Sequence, residues 1–137
     1  MAMIQLVYAS RPFGFDESTL SGILFNARSN NARDGITGAL ICRADLYLQM
    51  LEGPDDKVEA TYERIELDDR HLEVKRLVHS GTETRMFGEW AMRSDPARSW
   101  MWTREQVENG APGRATAEEV IAVFSRLIDE MPVPTGS

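Results

Sequence analysis

The sequence predicts an α+β fold: a ferredoxin-like, five-stranded mixed sheet with two helices on one face and C-terminal helices on the other. Three observations lead there. Short, largely apolar runs alternate with two stretches of helical period in the order strand, helix, strand, strand, helix, strand, strand. The second and third strands are separated only by Arg43-Ala44-Asp45, short enough for a hairpin, so two helices flank a hairpin. Past Pro96 the character changes to closely spaced tryptophans and short helical signals, which sets off residues 96–137 as an extension of a core domain at residues 1–95.

Ile4 to Ser10 reads as the first strand, with Ile4, Leu6 and Tyr8 on one face and Arg11-Pro12-Phe13-Gly14 ending it. Asp16 suits the N-cap of the first helix, and Phe15 before it is placed to pack on Leu20 as a hydrophobic staple. Leu20, Ile23, Leu24 and Ala27 recur at helical spacing. That face continues into Asn30 and Asn31, which either cap the helix end or present amides where apolar side chains are expected. Asp34-Gly35 supplies the turn, and Ile36 to Arg43 the second strand, in which Gly38 leaves room for a close approach.

Leu46 to Glu52 is the third strand, with the composition of a strand buried on both faces and one neutral amide, Gln49, inside it. Left unpaired there, that amide costs roughly 1 to 3 kcal/mol, so Gln49 requires a partner in the fold or in a ligand. Pro54, Asp55 and Asp56 suit the start of a second helix, Val58, Tyr62 and Ile65 its buried face, and Asp68 to His71 its close. Val74 to Ser80 reads as the fourth strand and Gly88 to Met92 as the fifth, with Trp90 and Met92 sharing a face. Thr103 with Gln106 is spaced as a capping box before a short helix ending near Gly110, and Ala111-Pro112-Gly113 as a linker or turn. Thr116 with Glu119 opens a last helix whose Val120, Val123, Phe124, Leu127 and Met131 form one stripe before Pro132. That stripe requires cover, from the open face of the sheet or from another molecule.

Composition narrows the function. A formal net charge of −7 argues against a nucleic-acid surface, which needs clustered Lys and Arg. His71 and His79 lie near no paired cysteines and share no helix-face spacing, and the lone Cys42 forms no internal disulfide, so no metal site is expected. No apolar run approaches the ~20 residues that span a bilayer, and Met1 to Gln5 lacks a basic leader region, so a soluble cytoplasmic protein is expected. Without a Gly-rich phosphate loop, a Ser-His-Asp order or a Cys-His pair, the expectation is that the protein is not an enzyme.

What remains unusual is a set of polar groups at apolar positions: Tyr8, Asn31 and Gln49, on three adjacent elements. A phenol and two amides suit a planar heteroaromatic ligand whose edge carries carbonyls and ring nitrogens, and flavin is such a ligand. A tyrosine near an excited flavin can release an electron and a proton, and an amide between them can exchange its donor and acceptor ends by turning over or tautomerising. The rival reading is a dark-acting ligand-binding or interaction module in which the three groups satisfy one another and Tyr8 is an ordinary core tyrosine.

Five motifs carry a resemblance to a known family: Leu-Val-Tyr-Ala-Ser at 6 to 10, Asn-Asn-Ala-Arg at 30 to 33, Gly-Ile-Thr-Gly-Ala-Leu at 35 to 40, Leu-Gln-Met-Leu-Glu-Gly at 48 to 53 and Phe-Gly-Glu-Trp-Ala-Met at 87 to 92. From Ile4 to about Ser94 the chain resembles the BLUF domains, blue-light sensors that use FAD. The resemblance implies a flavin ring between the two helices, Tyr8 as photochemical donor, Gln49 bridging its hydroxyl to the N5 and O4 edge, and Asn31 on the other side of that edge. It implies Ile23 and Ile65 against the ring faces, and Asp68, Arg70 and His71 near the ribityl chain. Asn30 stands where members of the family carry a histidine. Trp90 and Met92 match the pair that passes the signal on from Gln49, and the sequence leaves open which of them faces the flavin. The resemblance favours FAD, and a pocket that grips mainly the ring would also accept FMN. Output is expected to pass to a separate protein or to another copy of the chain, with the last helix as the candidate surface.

Overall fold

A computed structural model describes residues 3–13, 16–88 and 90–130. Its elements are β1 (Met3–Pro12), α1 (Glu17–Asp34), β2 (Thr37–Arg43), β3 (Leu46–Pro54), α2 (Asp55–Glu66), β4 (His71–Thr82), β5 (Arg93–Pro96), α3 (Arg104–Glu108), α4 (Ala111–Arg114) and α5 (Ala117–Asp129). The strand order is β4-β1-β3-β2-β5, antiparallel except for the β2–β5 pair. This is the expected ferredoxin-like sheet with one strand added at an edge.

Alternation along the strands divides the core in two. Ile4, Leu6, Tyr8, Leu40 and Leu51 pack with Ile23 and Leu24 of α1 and Val58 and Tyr62 of α2. Val7, Ala39, Ile41, Leu48 and Met50 face the other way and pack with Val120, Phe124 and Leu127 of α5. The stripe on the last helix therefore lies on the open face of this chain's own sheet. Its Met131, like Phe15 of the proposed staple, lies outside the described residues.

The caps follow the sequence. Asp16 accepts from the Thr19 amide at 2.6 Å, and both capping boxes form, at Thr103 with Gln106 and at Thr116 with Glu119. Helix α1 runs through Asn30 and Asn31 and closes on Gly35 in the left-handed region, φ 71°, whose N–H takes the Asn31 carbonyl. The two amides are thus side chains of the helix body, and glycine's freedom at positive φ supplies the end.

Several expected boundaries move. Strand β1 continues through Arg11 and Pro12, which pair with Leu72 and His71 of β4. Helix α2 stops at Glu66, so Asp68 to Arg70 form a turn and His71 opens β4 instead of closing the helix. Ala111 to Gly113 fall within a single helical turn, α4, with proline in its first positions.

The largest correction concerns the fifth strand, which is Arg93–Pro96 and not Gly88–Met92. The carbonyls of Trp90, Ala91 and Met92 go to the Gly38 amide, Asn31 Nδ2 and Arg28 Nε, so this stretch is held by β2 and α1 and enters the parallel ladder only at Arg93. Trp90 and Met92 do not share a face: Met92 packs in the α1/α2 core and Trp90 in the α5 core. Gly38 does permit a close approach. A Cβ there would lie 1.9 Å from the Met50 carbonyl oxygen and 3.4 Å from Met92 Cε.

Candidate functional site

Tyr8 on β1 and Gln49 on β3 are direct cross-strand partners in the middle of the sheet, with side chains on the α1/α2 face. Both are buried, and Tyr8 Oη donates to Gln49 Oε1. The other end of the amide, Nε2, donates to the sulfur of Met92 at 3.2 Å. Thioether sulfur is a weak acceptor, so this half of the amide is held lightly. Burial first, and then the charge of Asp68, pushes the Tyr8 hydroxyl well above its ordinary pKa, so it stays protonated as the donor in the pair.

In front of Gln49 lies a cleft of about 230 Å³ between α1 and α2. Ile23, Asn30 and Asn31 line it from α1, Gln49 and Leu51 from β3, Ile65 from α2, and Asp68, Arg70 and His71 from the turn and the start of β4. Of the residues singled out in the sequence, these eight besides Leu51 come together on one wall system. Tyr8 stands one hydrogen bond behind Gln49, and Met92 one hydrogen bond beyond it. Trp90 is elsewhere, against Phe87 on the opposite face of the sheet.

Asn31 brings a buried, unanswered acceptor to the cleft wall. It is 1 % exposed, and its Nδ2 donates to the Ala91 carbonyl at 2.9 Å, yet its Oδ1 is buried without a partner. A buried acceptor in that state costs on the order of 1 to 3 kcal/mol unless something donates to it. A flavin fits this demand, because its ring edge alternates N–H donor and carbonyl acceptors and its faces are apolar. Asn31 and Gln49 would hold such an edge, and the half-buried Ile65 and buried Ile23 offer aliphatic surface from the two helices.

The far end of the cleft is polar. Arg70 grips Asp68 through several nitrogen–oxygen contacts at 2.5 to 3.1 Å, and this hydrogen bonding holds the Asp68 carboxyl below the usual carboxylate range. His71 is buried, its Nδ1 lies 2.8 Å from Ser10 Oγ, and its ring packs edge-on against Tyr8 with centroids 5.8 Å apart. Burial pushes its pKa down to about 4, so it is a neutral imidazole near pH 7.

Sequence reasoning missed Thr61 and Arg64 on the cleft wall, and the bond from Arg28 to Met92. Thr61 stands four residues before Ile65 on α2, so helical spacing could have found it; Arg28 gave no signal, since an arginine on an exposed helix face is ordinary. Also missed was Glu52, fully buried on the α5 face. Its carboxylate accepts from the amides of Met86 at 2.9 Å and Phe87 at 2.6 Å and from Thr37 Oγ1 at 3.0 Å. At the surface Asp55, Glu59 and His79 come together, with Glu59 engaged by His79 at 2.7 Å and Arg76 at 3.2 Å. Among the described residues no helix is long and apolar enough to cross a membrane.

The chain is similar to known proteins along its whole described length. Residues 3–93 match the family described as BLUF, sensors of blue-light using FAD. The photoactivated adenylate cyclase subunit beta of Euglena gracilis is 37 % identical over 87 residues, 63 % of this chain and 10 % of that protein. The blue light- and temperature-regulated antirepressor BluF of Escherichia coli (strain K12) is 32 % identical over 66 residues, 48 % of this chain and 16 % of that protein. The chain thus spans only about a tenth to a sixth of the length of these curated relatives. Among solved structures, the dark state of BlrB, a BLUF protein, superposes with a TM-score of 0.74 at 26 % identity, covering 93 % of this chain and 95 % of that one. The photo-activated state of BlsA gives 0.78 at 23 % identity, covering 97 % and 99 %, a likeness of fold that includes the C-terminal helices. With the family match spanning β1 to the start of β5 and the cleft set between the two helices it encloses, the chain belongs to the BLUF family of blue-light sensors that use FAD.

Proposed function

We propose that this chain is a blue-light photoreceptor in which Tyr8 is the electron and proton donor and Gln49 the element that stores the signal. The observation that carries this reading is the buried relay Tyr8–Gln49–Met92, which lies directly behind a cleft containing an unanswered acceptor. When bound, a flavin supplies the absorption of blue light and an excited ring able to accept an electron. Tyr8 gives up that electron and passes its proton from Oη toward Gln49 Oε1, the atom it already faces. As the charges recombine, the Gln49 amide turns over or tautomerises, and its donor and acceptor ends are exchanged. Once turned over, it presents oxygen to the Met92 sulfur, which has no proton to give, so the Nε2–Sδ bond is lost. The change is worth one or two buried hydrogen bonds, on the order of 1 to 3 kcal/mol, enough to bias a two-state element but not to unfold the domain.

In the same reading Ile23 and Ile65 sandwich the ring, Asn30 and Asn31 serve its edge, and Asp68, Arg70 and His71 receive the polar chain that leaves it. The family favours FAD, and FMN presents the same ring edge to these residues. Residues 1–95 form the sensory unit and residues 96–137 the capping or output extension, with Met92 as the relay on the cleft side and Trp90 on the α5 side. The chain itself catalyses no reaction. It signals to a separate protein or to a second copy.

The test is the visible absorption spectrum of the purified protein, in the dark and after blue illumination. A flavin band that shifts slightly to the red and recovers in the dark is expected. Gln49→Leu and Tyr8→Phe should bind flavin and lose that shift; a normal photocycle in either variant removes the corresponding role. A protein that remains colourless with added FAD would sink the reading.

A further inference from the structure

Trp90, Ala91 and Met92 approach β5 without joining a ladder, and their carbonyls are taken by three different donors: the Gly38 amide at 3.2 Å, Asn31 Nδ2 at 2.9 Å and Arg28 Nε at 3.0 Å. Arg28 and Asn31 are one turn apart on α1, so their side chains reach the same stretch of main chain. Met92 is consequently held twice. Its carbonyl is fixed to α1 by Arg28, while its sulfur accepts from Gln49 Nε2 of the sheet. Gly38 lets the thioether come in close, so the sulfur's position depends on where the main chain sits.

Arg28 differs from the residues of the cleft. It does not line the cleft, and its side chain is on an exposed part of α1. Among the described residues its guanidinium has no carboxylate partner, and its hydrogen bond goes to this one carbonyl. A charged donor on a backbone carbonyl is stronger than a neutral one, and this carbonyl belongs to the residue that contacts Gln49.

We infer that Arg28 is a positioning residue: with Asn31 it latches the Ala91–Met92 main chain to α1 and thereby holds the Met92 sulfur where one orientation of the Gln49 amide can bind it. The latch itself follows from the hydrogen bonds of Arg28 and Asn31. Its consequence for the light response rests on the photoreceptor reading above. With the latch open, the Nε2–Sδ bond, which exists only in the dark arrangement, is harder to re-form, so return to the dark state slows.

Arg28→Ala and Arg28→Lys in the full chain, purified with its flavin, test this by two separate readouts. Backbone amide exchange across residues 91–94, measured in the dark, reports the latch. The rate of dark recovery after illumination reports its effect on Gln49. Arg28→Ala should retain the flavin and the red shift, exchange faster across 91–94, and recover about three- to tenfold more slowly, the scale of one lost hydrogen bond. Arg28→Lys, whose ammonium can donate to the same carbonyl, should restore most of both. Unchanged exchange in Arg28→Ala overturns the latch, and faster exchange with an unchanged recovery rate overturns its part in the photocycle. If the unsubstituted protein shows no red shift, the photoreceptor reading fails, and dark exchange still decides the latch.

Discussion

On the face of the sheet covered by α5, the buried carboxylate of Glu52 meets three donors; on the face covered by α1 and α2, the buried Oδ1 of Asn31 meets none and Gln49 Nε2 finds only a sulfur. All three residues are buried. What separates these three groups is whether other atoms of the chain satisfy them. The Glu52 carboxylate is answered within the chain, whereas the cleft face presents an acceptor that no donor of the chain meets and keeps its central amide in soft contacts that can be exchanged.

The strongest way to break that comparison is to damage the α5 face and look for damage at the other. Phe124 is fully buried between α5 and the sheet, edge-on to Phe87 with centroids 6.0 Å apart. Phe124→Ala should cost about 3 to 5 kcal/mol in urea unfolding, through lost burial and a cavity. The folded protein should nonetheless show the same light-induced red shift. Loss of the shift in a folded variant would mean that the two faces are not separable.

The ligand face should also be the acid-sensitive one. His71 has its pKa pushed from 6.5 to about 4 by burial, so protonation favours the unfolded chain. Its contribution is complete above pH 6.5 and is lost as pH falls through 6.5 toward 4. At about 1.4 kcal/mol for each tenfold change the full loss is about 3 kcal/mol, of which about 2 is already gone at pH 5. Unfolding at pH 7 and pH 5 should show a larger drop for the unsubstituted protein than for His71→Gln. Equal drops would show that His71 is free to ionise in the folded protein.

The fold was legible because its signals are local and repeated. The period of β1 put Ile4, Leu6 and Tyr8 on one face, and the capping boxes at Thr103 and Thr116 opened the helices they predict. The cleft was legible for a related reason: polar residues at apolar positions, such as Asn31 and Gln49, stand out against their own periodicity. The segment Gly88–Met92 was misread because it has strand composition, whereas its conformation is set by donors from distant α1 residues, Arg28 and Asn31, that no local pattern announces. Glu52 escaped notice because a glutamate near a strand end reads as solvated. Its burial depends on a loop, Met86–Phe87, that folds back over it from more than thirty residues away.

Glu52 and Gln49 lie three residues apart on β3 with side chains on opposite faces, so a pair of substitutions sharpens the comparison most finely. In Glu52→Gln the shape is kept, but one carboxylate oxygen becomes an NH2 group facing N–H or O–H donors. At least one of the bonds from Met86, Phe87 and Thr37 must then be lost, at a cost of about 1 to 3 kcal/mol. Because that cost belongs to the protein alone, it should be the same with and without flavin, and the red shift should persist. Gln49→Leu should differ in its effect on the light response. It removes the acceptor of the fully buried Tyr8 hydroxyl, so the flavin-free protein also loses about 1 to 3 kcal/mol, but here the light response disappears. If Glu52→Gln abolishes the red shift, or if Gln49→Leu leaves it intact, then the light response does not belong to the cleft side of the sheet.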